Sequence, residues 1–398
     1  MDLTEIFFAI VILLATAKLL GEIFRKLKQP ALGGELLAGI IVGPTLFGIV
    51  QISDGLELIS TIAIFFVMLF IGLEMNLSEI RRTGKHALII SITSLIIPFL
   101  VGYQLSVVFG LELVASLFVG LLLSVTSVPV SAIILRELKI LKTKTGATVI
   151  SVAIVDDIIS LIILAIILQL HVGDIESFNL PEIGMSLLYI TAYLIGVSIL
   201  ALTVYRIEYW LPKRFELFFE KSKSYEVKFG IFIVVAITLS FIAEIAGLHF
   251  ILGAFFAGLI FSKKITGSKE SEKTFGTISG MTFGFIAPLF FAIIGIKFSA
   301  QSLENYIPFL VLLVLLGVFG KTFGGFIGTK LSKFSNNQGF AISTLLNGRG
   351  TVGLTITAVA YSIGILDVTL FSVCVVICII TTMITPIIAK PFLKKISH

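Results

Sequence analysis

"SVTSVPVS", residues 124–131, interrupts an apolar run with one proline, Pro129, and four hydroxyl side chains. "LLNGRGTVG", residues 345–353, interrupts another with Asn347, Gly348, Gly350 and Gly353. Both lie inside apolar windows of about 20 residues, the length that crosses a bilayer. A helix broken at that depth leaves carbonyls and N–H groups without partners, which is tolerated only where protein, a cavity or a bound ion satisfies them. Paired breaks therefore point to a binding site, where half-helix ends of opposite partial charge meet.

The rest of the chain agrees with a lipid environment. Its 398 residues are 57% hydrophobic and 13% charged, with a mean hydropathy of +1.11. A soluble domain carries about 25% charged residues. The chain is an all-α integral membrane protein. Asp2 and Glu5 precede or enter the first apolar run in place of a basic leader region, so residues 3–24 read as a retained span. Cys374 and Cys378 have no further ligands beside them and read as small buried hydrophobes. No cofactor is expected.

Apolar windows fall near 3–24, 31–50, 56–75, 87–109, 113–135, 146–170, 184–205, 229–246, 248–262, 275–296, 306–329, 338–366 and 368–389, which predicts 13 transmembrane helices. Basic residues collect in alternate loops, such as Arg81, Arg82 and Lys85, then Arg136, Lys139, Lys142 and Lys144. The intervening loops hold acids such as Asp54, Glu57, Glu112 and Asp174. By the positive-inside rule the N-terminus lies outside and the C-terminus in the cytoplasm. The net charge of +5 then faces anionic lipid and does not indicate nucleic acid.

The windows repeat. "GELLAGII" (34–41) matches "GAFFAGLI" (253–260) at an offset of 219. "FIGLEMN" (70–76) matches "IIGIKFS" (293–299) at 223, and the same offset carries "LLLSVTSVPV" (121–130) onto "TLLNGRGTVG" (344–353). Equivalent spans are seven apart, an odd number, so the second copy crosses the membrane in the opposite direction. The expectation is two inverted six-helix repeats with crossing broken helices: repeat one at 3–170, a linker helix at 184–205 and repeat two at 229–389. Secondary transporters use this architecture, with a site near the midplane exposed alternately to either side.

"SVAIVDDIISLII" (151–163) follows the first break and places Asp156 and Asp157 in mid-membrane. Two ionised carboxylates there cost several kcal/mol unless each meets a proton, a cation or a base. Neighbours on a helix point about 100° apart, so the two need not share a partner. One can face the breaks and alternate between cation and proton, while the other faces a lysine. Carboxylate, hydroxyl and carbonyl oxygens suit a small alkali cation, and burial disfavours the charged acid enough for a proton to compete. Four basic residues remain within spans. Lys18 and Lys321 read as local pairs or as side chains snorkelling to the cytoplasmic edge. Lys297 and Arg349, in the repeated stretches, read as site residues.

Taken as a set, "RKLKQPALGGELLAGIIVGPTLFG" (25–48), "FIGLEMNLSEI" (70–80), "SVTSVPV" (124–130), "VDD" (155–157), "HFILGAFFAGLIF" (249–261) and "NGRG" (347–350) resemble the monovalent cation:proton antiporter family, in the branch that includes NapA-type sodium/proton antiporters. The resemblance covers essentially the whole chain. It implies a core domain moving against a dimerisation domain, a homodimer in the cell membrane, Asp157 as the residue that binds Na⁺ or a proton, and Asp156 paired with Lys297. It also implies that the double acid goes with electrogenic exchange and that Thr126 and Ser127 flank the site. Thr351 stands where the family often has an acid, which leaves Glu74 as the expected partner of Arg349. The C-terminal nucleotide-binding domain of potassium-efflux relatives is not expected after His398.

K⁺/H⁺ exchange on the same fold is the nearest alternative, followed by a sodium-coupled solute symporter, which would be expected to show a more polar cavity. An aspartyl protease would need its two acids on facing helices, and a channel would not require the repeat.

Overall fold

Helices form where the apolar windows lie, because a backbone in lipid must satisfy its own hydrogen bonds. The computed structural model describes residues 3–27, 29–74, 77–137, 140, 143–172, 225–246, 248–261 and 269–395, with isolated positions between 188 and 203. All described secondary structure is helical. The first group is α1 (Leu3–Lys26), α2 (Ala31–Val42), α3 (Asp54–Glu74), α4 (Leu77–Val108), α5 (Leu113–Ser124), α6 (Val128–Glu137) and α7 (Lys144–Val172). The second is α8 (Tyr225–Ile245), α9 (Phe250–Ile260), α10 (Lys269–Met281), which passes through a π-helical turn (Thr282–Ile286) into α11 (Ala287–Lys297), then α12 (Ile307–Leu331), α13 (Asn336–Leu345), α14 (Gly350–Ser362) and α15 (Val368–Lys394). The linker helix expected at 184–205 lies outside the described residues except for isolated positions.

Seven described helices are long and apolar enough to cross a membrane: Thr4–Lys26, Asp54–Glu74, Gly84–Val108, Lys144–His171, Phe275–Lys297, Gln301–Leu331 and Val368–Leu393. The expected span at 113–135 is two helices, α5 and α6, parted at Val125–Ser127. The span at 338–366 is likewise α13 and α14, parted at Leu346–Arg349. Ser335 opens α13 with a capping box, its hydroxyl and the side chain of Gln338 serving each other's backbone N–H.

The chain divides into two compact units. The first comprises Met1–Glu57, Ser78–Ile167 and Phe291–His398, and contains both broken helices. Within it α2 crosses α11 at backbone contact: a Cβ on Gly39 would overlap the Ala292 carbonyl, and one on Gly295 would overlap that of Leu36. Side chains absent at such a crossing let two helices approach more closely than Leu or Ile would allow.

The second unit comprises Leu58–Leu77 and Leu168–Phe290. Here α9 crosses α3 in the same manner, with Gly258 against the Leu69 carbonyl and Gly72 against that of Phe255. Phe70 of α3 packs on Phe275 and edge-on against Phe283, at centroid distances of 5.4 and 4.7 Å.

Candidate ion site at two broken helices

An α-helix ends with four carbonyls that lack partners, and α5 ends in the interior of the first unit. All four of its terminal carbonyls are nevertheless satisfied. Val125 N–H donates to Leu121 O (3.1 Å), Arg349 Nε to Leu122 O (2.9 Å) and Arg349 Nη2 to Leu123 O (2.7 Å). Lys321 Nζ donates to Ser124 O. The negative end of this half-helix is therefore held by two full positive charges. Arg349 Nη1 also reaches Asn347 O at 3.3 Å.

Apart from that one charged contact, the break after α13 is served by neutral donors. Ser131 Oγ donates to Leu345 O (3.0 Å) and Ser127 N–H to Gly348 O (2.7 Å). Thr126 Oγ1 lies 3.2 Å from Leu346 O and 2.6 Å from Asp156 Oδ2. It has one proton to give, and the charged acceptor makes the stronger bond. Each break thus satisfies the backbone of the other. Gly350 opens α14 with φ of +45°, and its N–H donates to Thr382 Oγ1 at 2.9 Å. A Cβ there would overlap Ser127 Oγ, so this position is glycine for both reasons. Gly348 faces Val130, whose Cγ1 would lie 2.8 Å from an added Cβ. Pro129 stands in the first turn of α6, where its missing N–H costs nothing.

Asp156 on α7 is fully buried and accepts three hydrogen bonds. Lys321 Nζ lies 2.8 Å from Oδ2, which Thr126 also engages, and Ser91 Oγ on α4 donates to Oδ1. Asp157 is 1% exposed and projects about 100° around α7 from its neighbour. Ser127 Oγ, Ser151 Oγ and Thr351 Oγ1 are among the buried hydroxyl oxygens that have no hydrogen-bond partner among the described residues, and Asn347 Oδ1 has none either.

Three expectations are corrected. Lys297 does not pair with Asp156: it ends α11 and reaches Glu57 Oε1 at 3.0 Å, with Nζ 5.4 Å from the centre of the Tyr361 ring. Lys321, expected to snorkel, is fully buried and takes that role. Arg349 is held by backbone carbonyls in place of the Glu74 carboxylate, since a broken helix supplies acceptors that an intact one would not. Ser91 was not singled out by the sequence, because an isolated serine in a long apolar helix carries no periodic signal.

Buried acids and bases gathered where two helices break among apolar spans define a membrane transport protein. Comparison with known proteins identifies the family. A family profile described as "Sodium/hydrogen exchanger, transmembrane" matches residues 10–395, and this chain belongs to that family of multi-pass membrane transporters, which are not enzymes. The Na(+)/H(+)-K(+) antiporter GerN of Bacillus cereus is 30% identical over 392 residues, covering 98% of this chain and 96% of that protein. The Na(+)/H(+) antiporter of Enterococcus hirae is 27% identical over 391 residues, covering 98% and 99%. The sodium proton antiporter MjNhaP1 of Methanocaldococcus jannaschii has the same fold, with a TM-score of 0.75 at 20% identity over 99% of this chain and 100% of that one.

Proposed function

We propose that this chain is a secondary-active Na⁺/H⁺ antiporter of the cell membrane, working by alternating access, with Asp157 as the site that Na⁺ and proton occupy in turn. The observation that carries this reading is the buried Asp156–Lys321 pair beside two broken helices. Asp156 is committed to three donors, and Asp157, the other buried acid of the pair, is the one to which this reading gives the cargo. Ser127, Asn347 and Thr351 bring oxygen ligands of the kind an alkali cation takes.

Charge balance extends the proposal. Asp156, Asp157, Lys321 and Arg349 sum to zero when all are ionised, so a bound Na⁺ or a proton on Asp157 adds the same charge. Electrogenic exchange then needs a second proton, and Lys321 is its source: an arriving cation displaces the ammonium from the acid pair. The relative GerN, a Na(+)/H(+)-K(+) antiporter by name, favours K⁺ as a second cargo.

The proposal includes 13 spans in two inverted repeats (3–170 and 229–389) joined by a linker helix (184–205), N-terminus outside, C-terminus inside, and a homodimer. Supporting the repeat, residues equivalent by offset exchange roles: Gly39 and Gly258 differ by 219, Gly72 and Gly295 by 223. Gly39 meets Gly295 in one crossing and Gly258 meets Gly72 in the other.

The test is reconstitution in liposomes with an internal pH-sensitive dye under an imposed proton gradient. Dye recovery on adding Na⁺ or Li⁺, absent in Asp157→Asn, is the expected result. Recovery with K⁺ alone would reassign the cargo, and failure of every cation to produce recovery in folded protein would overturn the reading.

A further inference from the structure

We propose that Ser91 is a positioning residue of the exchange: it holds Asp156 Oδ1, so that the carboxylate keeps its orientation toward Lys321 through the transport cycle. This rests on the Na⁺/H⁺ reading above. Asp156 takes its donors from three separate elements: Lys321 from α12, Thr126 from the first break and Ser91 from α4. When the ammonium leaves, Thr126 and Ser91 remain, one on each oxygen. A buried carboxylate with a donor on each oxygen is held in one orientation, whereas one engaged on a single oxygen can turn about its last side-chain bond.

The packing around Ser91 is built for this reach. Ser91 is fully buried, and its hydroxyl has one acceptor among the described residues, Asp156 Oδ1. The stretch "GVFGKTFGGFIG" (317–328) runs glycines along α12 on either side of Lys321. A Cβ on Gly324 would overlap the Thr93 carbonyl and lie 3.2 Å from Ser94 Cα. One on Gly328 would lie 2.7 Å from Ile90 Cα. These positions follow Lys321 by three and seven residues, so they share its face of the helix. The glycine face that buries Lys321 therefore also draws α4 close enough for Ser91 to meet Asp156. Besides Asp156, the charged groups acting on the Lys321 ammonium are Arg349 at the head of α14 and Asp157 on α7.

The test compares wild type with Ser91→Ala, Ser91→Thr and, as a control one turn away, Ser94→Ala, whose hydroxyl bonds only the Ser91 carbonyl (3.1 Å). Two quantities are read at one pH: the KM and maximum rate of Na⁺-driven proton release from liposomes, and melting temperature in detergent. Ser91→Ala is expected to lower the maximum rate about tenfold, the size of one hydrogen bond to a charged group, with the KM for Na⁺ little changed. It should also lower the melting temperature, with Ser91→Thr restoring both and Ser94→Ala leaving the rate in place. A maximum rate unchanged in Ser91→Ala, or changed equally in Ser91→Thr and Ser94→Ala, would reduce Ser91 to packing. If wild type transports no cation, the exchange reading fails by itself. The melting temperatures of the same variants then still decide whether Ser91 holds Asp156.

Discussion

Lys321 Nζ and Asp156 Oδ2 lie 2.8 Å apart with both side chains fully shielded from solvent. Removing one member of such a pair strands the other, at a cost of about 3–5 kcal/mol. Lys321→Gln should accordingly lower the melting temperature strongly, and the double variant Lys321→Gln with Asp156→Asn should recover much of the loss. If transport survives in Lys321→Gln, its reversal potential should move toward one proton per cation. An unchanged stoichiometry would remove Lys321 from the proton cycle.

Lys297 offers the opposite expectation. Its own side chain is 13% exposed and that of its partner Glu57 53%, so the pair is open to solvent on the side of the acid and screened there, worth about 1 kcal/mol. Lys297→Gln should keep near-native stability and near-native Na⁺-dependent dye recovery. Loss of exchange comparable to that of Lys321→Gln would return Lys297 to the site.

Arg349 serves two successive carbonyls of α5 through one planar fork. A lysine is a single point of charge and cannot span both. Arg349→Lys should cost about 2 kcal/mol of stability, the scale of a buried carbonyl left without a donor, even though the net charge is preserved. Thermal unfolding in detergent checks this, and a melting temperature equal to wild type would show that charge alone suffices.

Gly350 combines a φ of +45° with a near neighbour in Ser127 Oγ. Gly350→Ala adds about 1–3 kcal/mol of backbone strain and pushes the two breaks apart. We expect lost exchange in protein that still elutes as a folded species. Full activity in that variant would mean that the crossing is softer than its packing suggests.

The proposed competition between proton and cation for Asp157 has a definite sign in pH. As pH falls, the proton occupies more of the site, so the apparent KM for Na⁺ should rise, approaching about tenfold per unit on the acid side. The maximum rate at saturating Na⁺ should fall less. A KM independent of pH across the active range would separate the two binding sites.

Much of this was legible in the chain. A proline beside three hydroxyls at 124–129, and three glycines around Arg349, locate both helix breaks before any coordinate is known. The acids in "VDD" mark the proposed site because charge in lipid demands a reason. Partner choice was not legible, since it depends on depth and on which helix faces which. Lys297 sits in a repeated motif and drew attention, yet it ends its helix; Lys321 looked peripheral, yet the glycines at 317, 320, 324, 325 and 328 flatten its face so that neighbours enclose it. That glycine ladder was the available signal. Ser91 had none, because its role exists only once α4 lies against α12.

The end of α5 is gripped by two cations of different character. The Arg349 guanidinium keeps its charge throughout, whereas the Lys321 ammonium is the one the proposed cycle discharges. In that cycle three of the four terminal carbonyls would keep the donors they have here, and a single one, Ser124 O, would lose its charged donor. The reorganisation that the proposed proton step demands is then confined to one carbonyl and one carboxylate, because the helix end has a permanent counterion and a replaceable one.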